Sequence, residues 1–227
     1  RCVSAAEAST EQHLWKEALL WLLLAAPGFL LAYSLANLYA AQLPPERVGE
    51  IAMAWEQAIP FWPWTILPYL SINLLYVASP FLYRTRRALR IHVLRFALAS
   101  AISVVCFLLF PLRFSPVRPE VEGVPGLLFQ LLGLVDQPFN QAPSLHISLL
   151  VILWSCYRRY CPQRWLGLLH LGFIWIATSV LTTWQHHFFD VVTGLMVGAA
   201  VCQLLPQSEI KAGTEIKSRG LVSLRPE

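Results

Sequence analysis

The stretch HHFFDVVTGLMVGAAVCQLL at residues 186–205 joins a cluster of ionisable side chains to a long apolar run. A membrane-spanning helix needs about 20 predominantly apolar residues, so this stretch is a candidate span. A second stretch has the same form, because the residues PSLH at 143–146 are followed by an apolar run to residue 157. Ionisable residues at membrane depth are costly and often functional. The two stretches therefore predict two membrane helices that each begin at a candidate functional site.

The composition of the whole chain indicates a membrane protein. Of the 227 residues, 56% are hydrophobic and 13% are charged, whereas soluble domains have about 25% charged residues. The formal net charge of +4 does not indicate nucleic-acid binding, because the basic residues fall in short loops between apolar segments. The five cysteines show no paired spacing, so no disulfide framework is expected. We therefore expect the bilayer, and no nucleic acid, as a partner.

Six apolar stretches predict an all-α, polytopic membrane fold with six transmembrane helices. The second stretch contains four prolines and is expected to be broken or irregular, which membrane helices tolerate. The fourth and sixth stretches are short, so their ends are expected to lie below the membrane surface. The predicted spans are residues 18–43, 58–82, 91–112, 143–157, 165–183 and 188–205.

The positions of the arginines predict the orientation of these helices. Short cytosolic loops are enriched in Lys and Arg, and the loops at 84–90 and 158–164 contain four and three arginines. We therefore expect these loops and both termini in the cytosol, as in a multi-pass protein of a bacterial inner membrane. Both histidine clusters then lie on the extracytoplasmic face.

The chain is expected to have three parts. Residues 1–17 form a polar N-terminal cytosolic segment, residues 18–206 form the membrane domain, and residues 207–227 form a cytosolic tail or linker. The tail mixes Lys, Glu, Ser and Gly without an apolar period. This composition is typical of a disordered segment or of a linker into a further soluble domain.

His186 and Asp190 form the first pair of candidate catalytic residues. Their spacing places both side chains on one face of a helix. A carboxylate bonded to one ring nitrogen fixes the tautomer of a histidine and leaves the other nitrogen to act as a nucleophile. The opposing interpretation is that Asp190 caps a helix or forms a structural ion pair, while His186 and His187 anchor the loop at the membrane surface.

His146 is the second candidate catalytic histidine. It follows Pro143, which suits the first turn of a helix, and the free N–H groups at a helix start can bind an anion. In a phosphoryl transfer to His186, His146 would protonate the leaving oxygen and then activate water or another hydroxyl. The alternative is an interfacial histidine bonded to a carbonyl group.

Phosphate binding requires cations and hydrogen-bond donors near these histidines. Arg113 and Arg118 are the candidate cations, because a guanidinium group can bind phosphate with two hydrogen bonds; membrane anchoring is the alternative for both. The other candidate phosphate ligands are close to the histidines in sequence: Ser144, Asn140, Gln141, Gln185 and His187. A metal site formed by His146, His186, His187 and Asp190 is a further alternative, although its spacing matches no specific metal pattern.

These motifs resemble those of the type 2 phosphatidic acid phosphatase superfamily. That family has three motifs, which read Lys-x6-Arg-Pro, Pro-Ser-Gly-His and Ser-Arg-x5-His-x3-Asp. In this chain the second motif reads PSLH at 143–146, and the third runs from Ser179 to Asp190. Arg118 and Pro119 match the end of the first motif.

The resemblance covers about residues 18–206 and implies a function. It implies a six-helix bundle with an outward active site, in which His186 is the nucleophile and Asp190 orients it. It also implies that His146 is the acid/base, that Arg118 binds phosphate, and that the enzyme needs no metal or other cofactor. In bacteria, similar membrane domains are sometimes joined to soluble phosphatase domains.

Three positions depart from the family pattern. Pro111 occupies the Lys position of the first motif, Leu145 the Gly position of the second, and Val180 the Arg position of the third. Such relaxed motifs are similar to those of inositol-phosphorylceramide synthases and sphingomyelin synthases, which transfer a phospho-headgroup between lipids. The loss of two phosphate cations favours a phosphodiester, which carries less charge than a monoester.

Three functional hypotheses follow. The first is a membrane phosphatase that hydrolyses a lipid phosphate or diphosphate ester through a phosphohistidine. The second is a phosphotransferase that moves a headgroup from a phospholipid to the hydroxyl of a ceramide or diacylglycerol. The third is a non-catalytic scaffold that binds lipids, which the retained His146, His186 and Asp190 disfavour.

Overall fold

The computed structural model describes the backbone of residues 5–207 and the side chains of residues 14–207. Apart from one isolated β-bridge, the regular structure in these residues is helical, as predicted. The predicted tail lies outside the described residues except for Gln207. Seven α-helices are found in the described residues: α1 (Ala5–Ala41), α2 (Ile66–Ala78), α3 (Arg86–Leu109), α4 (Gly123–Gly133), α5 (Leu145–Tyr160), α6 (Leu166–Thr182) and α7 (Phe188–Leu204).

The six predicted spans coincide with α1, α2, α3, α5, α6 and α7. Within the described residues, four segments are long and apolar enough to cross a membrane. The other two helices, α5 and α7, have 16 and 17 residues. The four segments are Leu14–Ala41, Pro63–Leu82, Arg86–Leu109 and Gln163–Thr182.

The surface of the helices agrees with a membrane setting. In the most apolar part of α1, only 6% of the residues are buried. Large side chains of this helix, such as Leu23 and Leu31, are 61% and 63% exposed. Apolar surface of this extent is unusual on a soluble protein, and contact with lipid accounts for it.

The local structure differs from the predicted spans in three places. The helix α1 already includes Ala5, the first described residue, and so extends before the predicted start at residue 18. The second span is irregular, as its prolines predicted: short 3₁₀ turns at Pro63–Thr65 and Ser79–Leu82 flank α2. The segment 113–142, between α3 and α5, contains the additional helix α4, which the sequence patterns did not predict.

The helix α5 lies at the centre of the bundle and contacts α2, α3, α6 and α7. Its side chains Ile147, Leu150, Ile152 and Leu153 are almost completely buried. A helix that is covered by protein on most sides exposes little surface to lipid. The position of α5 therefore explains how a short helix carrying a polar cluster can lie within an apolar bundle.

The two arginine-rich loops lie at one end of the bundle. Arg86 and Arg90 at the start of α3 form ion pairs of 3.2 and 3.1 Å with Glu17 on α1. Arg159 at the end of α5 donates to the carbonyl of Gln207, beyond the end of α7. The histidine clusters lie at the N-terminal ends of α5 and α7, at the other end of the bundle from these arginines.

Candidate active site

Close packing of α5 against α7 brings the two histidine clusters together. A Cβ atom at Gly194 would lie 2.5 Å from the carbonyl oxygen of Ser144, and one at Gly198 would lie 2.8 Å from that of Ser148. The Ser148 hydroxyl donates to the Gly194 carbonyl at 3.0 Å. The backbone N–H of Ser144 donates to the carbonyl of Asp190, also at 3.0 Å. The absence of side chains at the two glycines therefore allows the helix starts to contact each other.

The predicted contact between His186 and Asp190 is present. Nδ1 of His186 lies 3.3 Å from Oδ2 of Asp190, which is fully buried. The same carboxylate oxygen accepts the backbone N–H of His187 at 2.8 Å. With Nδ1 as the donor, the Nε2 atom of His186 is the free nitrogen, as a nucleophile requires.

The geometry of this contact differs from the prediction that both side chains share a helical face. The helix α7 begins at Phe188 with His187 as its N-cap, so His186 precedes the helix. Asp190 lies in the first turn, and its side chain points back toward the helix start in a capping arrangement. Thus the same carboxylate both caps α7 and orients His186.

The turn before His186 contains a residue with unusual backbone geometry. Trp184 has a φ angle of +52°, which is uncommon for a bulky residue and costs conformational energy. Its indole N–H donates to the carbonyl of Ile59 at 3.2 Å, and its ring packs on Phe61. The N–H of His186 donates to the carbonyl of Val180 at 3.2 Å. These contacts hold the turn that places His186.

His146 is the second residue of α5, and its ring stacks on Tyr69 of α2. The ring centroids are 4.3 Å apart, with 18° between the planes. Its Nε2 atom is buried and has no hydrogen-bond partner within the described part of the chain. The helix begins one residue earlier than this histidine, with Ser144 as its N-cap, so Pro143 precedes the helix and is not in its first turn.

The remaining polar residues of the prediction are buried around the histidines. Ser144 uses its hydroxyl oxygen to cap α5, accepting the N–H of Ile147 at 3.4 Å. Asn140 donates to the carbonyl of Tyr33 at 3.0 Å. Several of their polar atoms are buried without a partner in residues 14–207: Asn140 Oδ1, Gln141 Oε1, Gln185 Nε2, His187 Nε2 and Asp190 Oδ1. Buried polar atoms are normally paired, so these atoms remain available to a bound ligand or water.

Glu56 is a residue of this region that the sequence reasoning missed. Its Oε2 lies 2.6 Å from Nδ1 of His187, and its Oε1 accepts the backbone N–H of Phe188 at 2.8 Å. A carboxylate is favourable at the N-terminus of a helix such as α7. The ring of Phe114 covers His187 at 4.5 Å between centroids. One ring nitrogen of His187 is thus engaged by the protein.

The two candidate phosphate cations occupy different environments. Arg113 is exposed, and its backbone N–H donates to the carbonyl of Gly49 at 3.0 Å. The guanidinium of Arg118 lies 5.3 Å above the centre of the Phe129 ring, in a cavity of about 400 Å³ beside α4. Burial lowers the pKa of Arg118, and the negative charge of Asp136 opposes that shift. Arg118 is therefore electrostatically coupled to Asp136, whereas Arg113 lies at the surface.

A larger cavity of about 650 Å³ connects the histidines to the apolar interior of the bundle. Its size is in the range of ligand pockets, about 300–1,000 Å³. His146, His186 and Asp136 line it together with two tyrosines, Tyr33 and Tyr69. The rest of the lining is mostly apolar and comes largely from α1, α2 and α3, with residues such as Phe29, Ile72 and Val104.

Asp136 is the second site residue that sequence reasoning missed. The hydroxyl of Tyr33 donates to its Oδ1 at 2.6 Å. Burial raises the pKa of Asp136, while the hydrogen bond from Tyr33 and the proximity of His186 and Arg118 oppose the shift. Its sequence signal was its rarity, because Asp136 and Asp190 are the two acidic residues between positions 123 and 208.

The geometry of the described side chains does not fit the metal alternative. Among the described side chains, no group of three or more His, Cys, Asp or Glu residues is arranged to hold a metal ion. His186 and His187 each bind a different carboxylate, Asp190 and Glu56. The two histidines therefore serve separate contacts.

Comparison of the chain with known protein families, with curated proteins and with solved structures finds no match.

Proposed function

We propose that this protein is a membrane enzyme that hydrolyses a lipid phosphate or diphosphate ester through a phosphohistidine on His186. The observation that carries the proposal is that two histidines, His186 and His146, line one apolar cavity of about 650 Å³. His186 is also hydrogen-bonded to the buried Asp190. A polar end with nucleophile and acid/base groups suits a phosphate ester, and an apolar remainder suits a lipid chain.

The chemistry assigned to the site has two steps. In the first, His186 Nε2 forms a bond to phosphorus, the bond between phosphorus and the ester oxygen breaks, and His146 gives a proton to that oxygen. In the second, a water oxygen bonds to phosphorus and gives its proton to His146. The nitrogen–phosphorus bond then breaks and its electron pair returns to His186. Asp190 stabilises the positive charge that His186 acquires.

The membrane arrangement belongs to the same proposal. Six helices, including the short α5 and α7, span a bacterial inner membrane, with the arginine-rich end in the cytosol and the histidine end outside. The resemblance of the motifs to the type 2 phosphatidic acid phosphatase superfamily supports this arrangement. The clustering of Arg86, Arg90 and Arg159 at one end of the bundle supports it independently.

Headgroup transfer to a lipid hydroxyl is the second candidate function, and Asp136 is the observation that favours it. A carboxylate close to His186 opposes binding of a dianionic phosphate monoester. Arg118, the cation coupled to this carboxylate, lines a neighbouring cavity. A phosphodiester has a smaller charge to neutralise, which suits this electrostatic environment.

Product analysis tests the proposal. The full chain in lipid vesicles would receive phosphatidic acid, a lipid diphosphate or a phosphodiester lipid, each with and without ceramide or diacylglycerol. Phosphate release without an acceptor, together with an acid-labile phosphohistidine, is expected for the wild type. His186→Ala should remove both signals.

The matched control is His170→Gln. His170 lies on α6, where its Nδ1 accepts the indole N–H of Trp154 at 2.8 Å, away from the cavity. This variant should retain activity. A wild-type chain that turns over none of these lipids, or equal activity in His186→Ala, would leave the non-catalytic scaffold as the better description.

A further inference from the structure

Asp136 lines the cavity, but it has no role in the two-step phosphatase chemistry proposed above. It follows α4 in the segment 113–142, and its side chain lines the cavity beside the two histidines. Tyr33 holds its Oδ1 with a hydrogen bond of 2.6 Å. A carboxylate is a poor ligand for phosphate but a strong hydrogen-bond acceptor for a hydroxyl group.

We propose that Asp136 is the residue that binds the hydroxyl group of a lipid alcohol and directs it to the phosphohistidine. This inference rests on the proposed phosphohistidine at His186 and adds a second substrate to the same site. The alcohol lies with its chain among the apolar side chains of α1, α2 and α3 and with its hydroxyl at the polar end. The enzyme then transfers the phospho-group to lipid as well as to water.

The transfer step balances without any further reactant. The alcohol oxygen forms a bond to phosphorus, and the bond between phosphorus and His186 Nε2 breaks with return of its electron pair to the ring. The alcohol proton passes first to Asp136, which accepts the hydrogen bond of that hydroxyl, and then to His146, which lost a proton to the leaving oxygen in the first step. Asp136 accepts a hydrogen bond from the alcohol before the transfer and orients its oxygen.

The surroundings of Asp136 determine how this activity depends on pH. Burial raises the pKa of Asp136, so the carboxylate forms only above this raised value, and transfer increases as the pH rises through it. The hydrogen bond from Tyr33 lowers that pKa. Removing the Tyr33 hydroxyl should therefore shift the rise in transfer to higher pH. The ionisable groups around Asp136 are Tyr33 on α1, Tyr69 on α2, Arg118 in the segment 113–142, His146 on α5 and His186 before α7.

The ratio of transfer to hydrolysis separates Asp136 from the histidines, because both reactions share the phosphohistidine. The full chain in vesicles would receive a phosphodiester lipid with or without isotope-labelled diacylglycerol, and the labelled transfer product and the hydrolysis product would both be measured from pH 4 to 9. In Asp136→Asn the ratio should fall about tenfold or more, since a hydrogen bond to a charged group is lost. In Tyr33→Phe the rise of this ratio should move to higher pH.

The control for the loss of a carboxylate is Glu46→Gln, an exposed residue outside the cavity. It should leave the ratio unchanged. Thermal melting of each variant reports folding, and Tyr33→Phe provides the test if Asp136→Asn does not fold.

Three results would overturn the inference. An equal fall of transfer and hydrolysis in Asp136→Asn would assign Asp136 to the first step or to the fold. A pH profile of Tyr33→Phe identical to that of the wild type would remove Asp136 as the titrating group. A wild type that forms the phosphohistidine and hydrolyses it, but transfers to no alcohol, would refute the inference and leave the proposed function intact. Absence of the phosphohistidine would refute the proposed function itself.

Discussion

The backbone N–H of Ser144 donates a hydrogen bond of 3.0 Å to the carbonyl oxygen of Asp190. This bond joins the start of α5 directly to the first turn of α7. It therefore couples the position of His146, two residues after Ser144, to the position of His186. The relative placement of the two candidate catalytic histidines depends on the contact between these helix starts.

Gly194→Ala is expected to disturb this contact. The new Cβ would lie 2.5 Å from the carbonyl oxygen of Ser144, so α5 and α7 would have to separate. Overpacking of this kind costs about 1–3 kcal/mol in stability. Thermal melting in detergent and lipid-phosphate hydrolysis should both decrease. Gly172→Ala on α6 is the control, because no atom lies within 4 Å of its added Cβ; similar losses in both variants would contradict the packing argument.

Asp190→Asn is expected to separate the structural role of this residue from its chemical role. The amide oxygen can still accept the N–H of His187, which Asp190 binds at 2.8 Å. It cannot stabilise a positive charge on His186, so turnover should fall by about two to four orders of magnitude. Turnover and melting temperature would be measured together. A large drop in melting temperature with little change in turnover per folded molecule would indicate a cap and not a catalytic partner.

Glu56→Gln tests whether the missed carboxylate anchors the loop next to His186. Glu56 accepts the N–H of Phe188 and contacts His187, and its side chain is only 9% exposed. Loss of its charge should cost about 1–3 kcal/mol in stability. Thermal melting would show this loss, and Glu46→Gln at an exposed position is the matched control. If the two variants melt at the same temperature, Glu56 does not anchor the loop.

Arg118→Gln and Arg113→Gln should differ in their effects on catalysis. Arg118 lines the cavity beside α4 and interacts electrostatically with Asp136, whereas Arg113 is exposed. Removing a positive charge near developing negative charge should lower kcat/KM about tenfold for Arg118→Gln. Steady-state kinetics on a lipid phosphate would measure both variants. Wild-type kinetics in Arg118→Gln would remove this residue from the phosphate site.

Ala101→Phe tests whether the apolar part of the cavity holds a lipid chain. Ala101 lies on α3 in the cavity wall. A larger side chain there should raise KM for a long-chain phosphatidic acid and leave a short-chain analogue almost unaffected, because only the long chain reaches this part. Val105→Phe, one turn further along α3 and outside the cavity lining, is the control. Equal effects on both substrates would indicate that lipid chains bind elsewhere.

Local patterns in the sequence predicted most of the helices well. Apolar runs indicated where α1, α3, α5, α6 and α7 lie, since the hydropathy of a span is a property of consecutive residues. The prolines indicated the irregular second span for the same reason. The helix α4 was missed because its 11 residues are too few to produce a membrane-span signal.

Contacts between distant segments could be predicted only in part. The four-residue spacing indicated the contact of His186 with Asp190, although the local geometry proved to be a helix cap. Glu56 contacts His187 from the loop between α1 and α2, and Asp136 accepts a hydrogen bond from the Tyr33 hydroxyl on α1. No sequence spacing relates these partners, because their proximity results from the packing of the helices.

The sequence by itself determined that this is a helical membrane protein with two histidine clusters at helix starts. Hydrophobic burial in lipid and backbone hydrogen bonding within each helix act locally, so consecutive residues are sufficient to predict them. Only the tertiary structure decided that the clusters meet, that Asp136 and Glu56 lie beside them, and that His146 and His186 line one apolar cavity. These contacts depend on how closely α5 and α7 approach each other. The close approach is possible because Gly194 and Gly198 have no side chains.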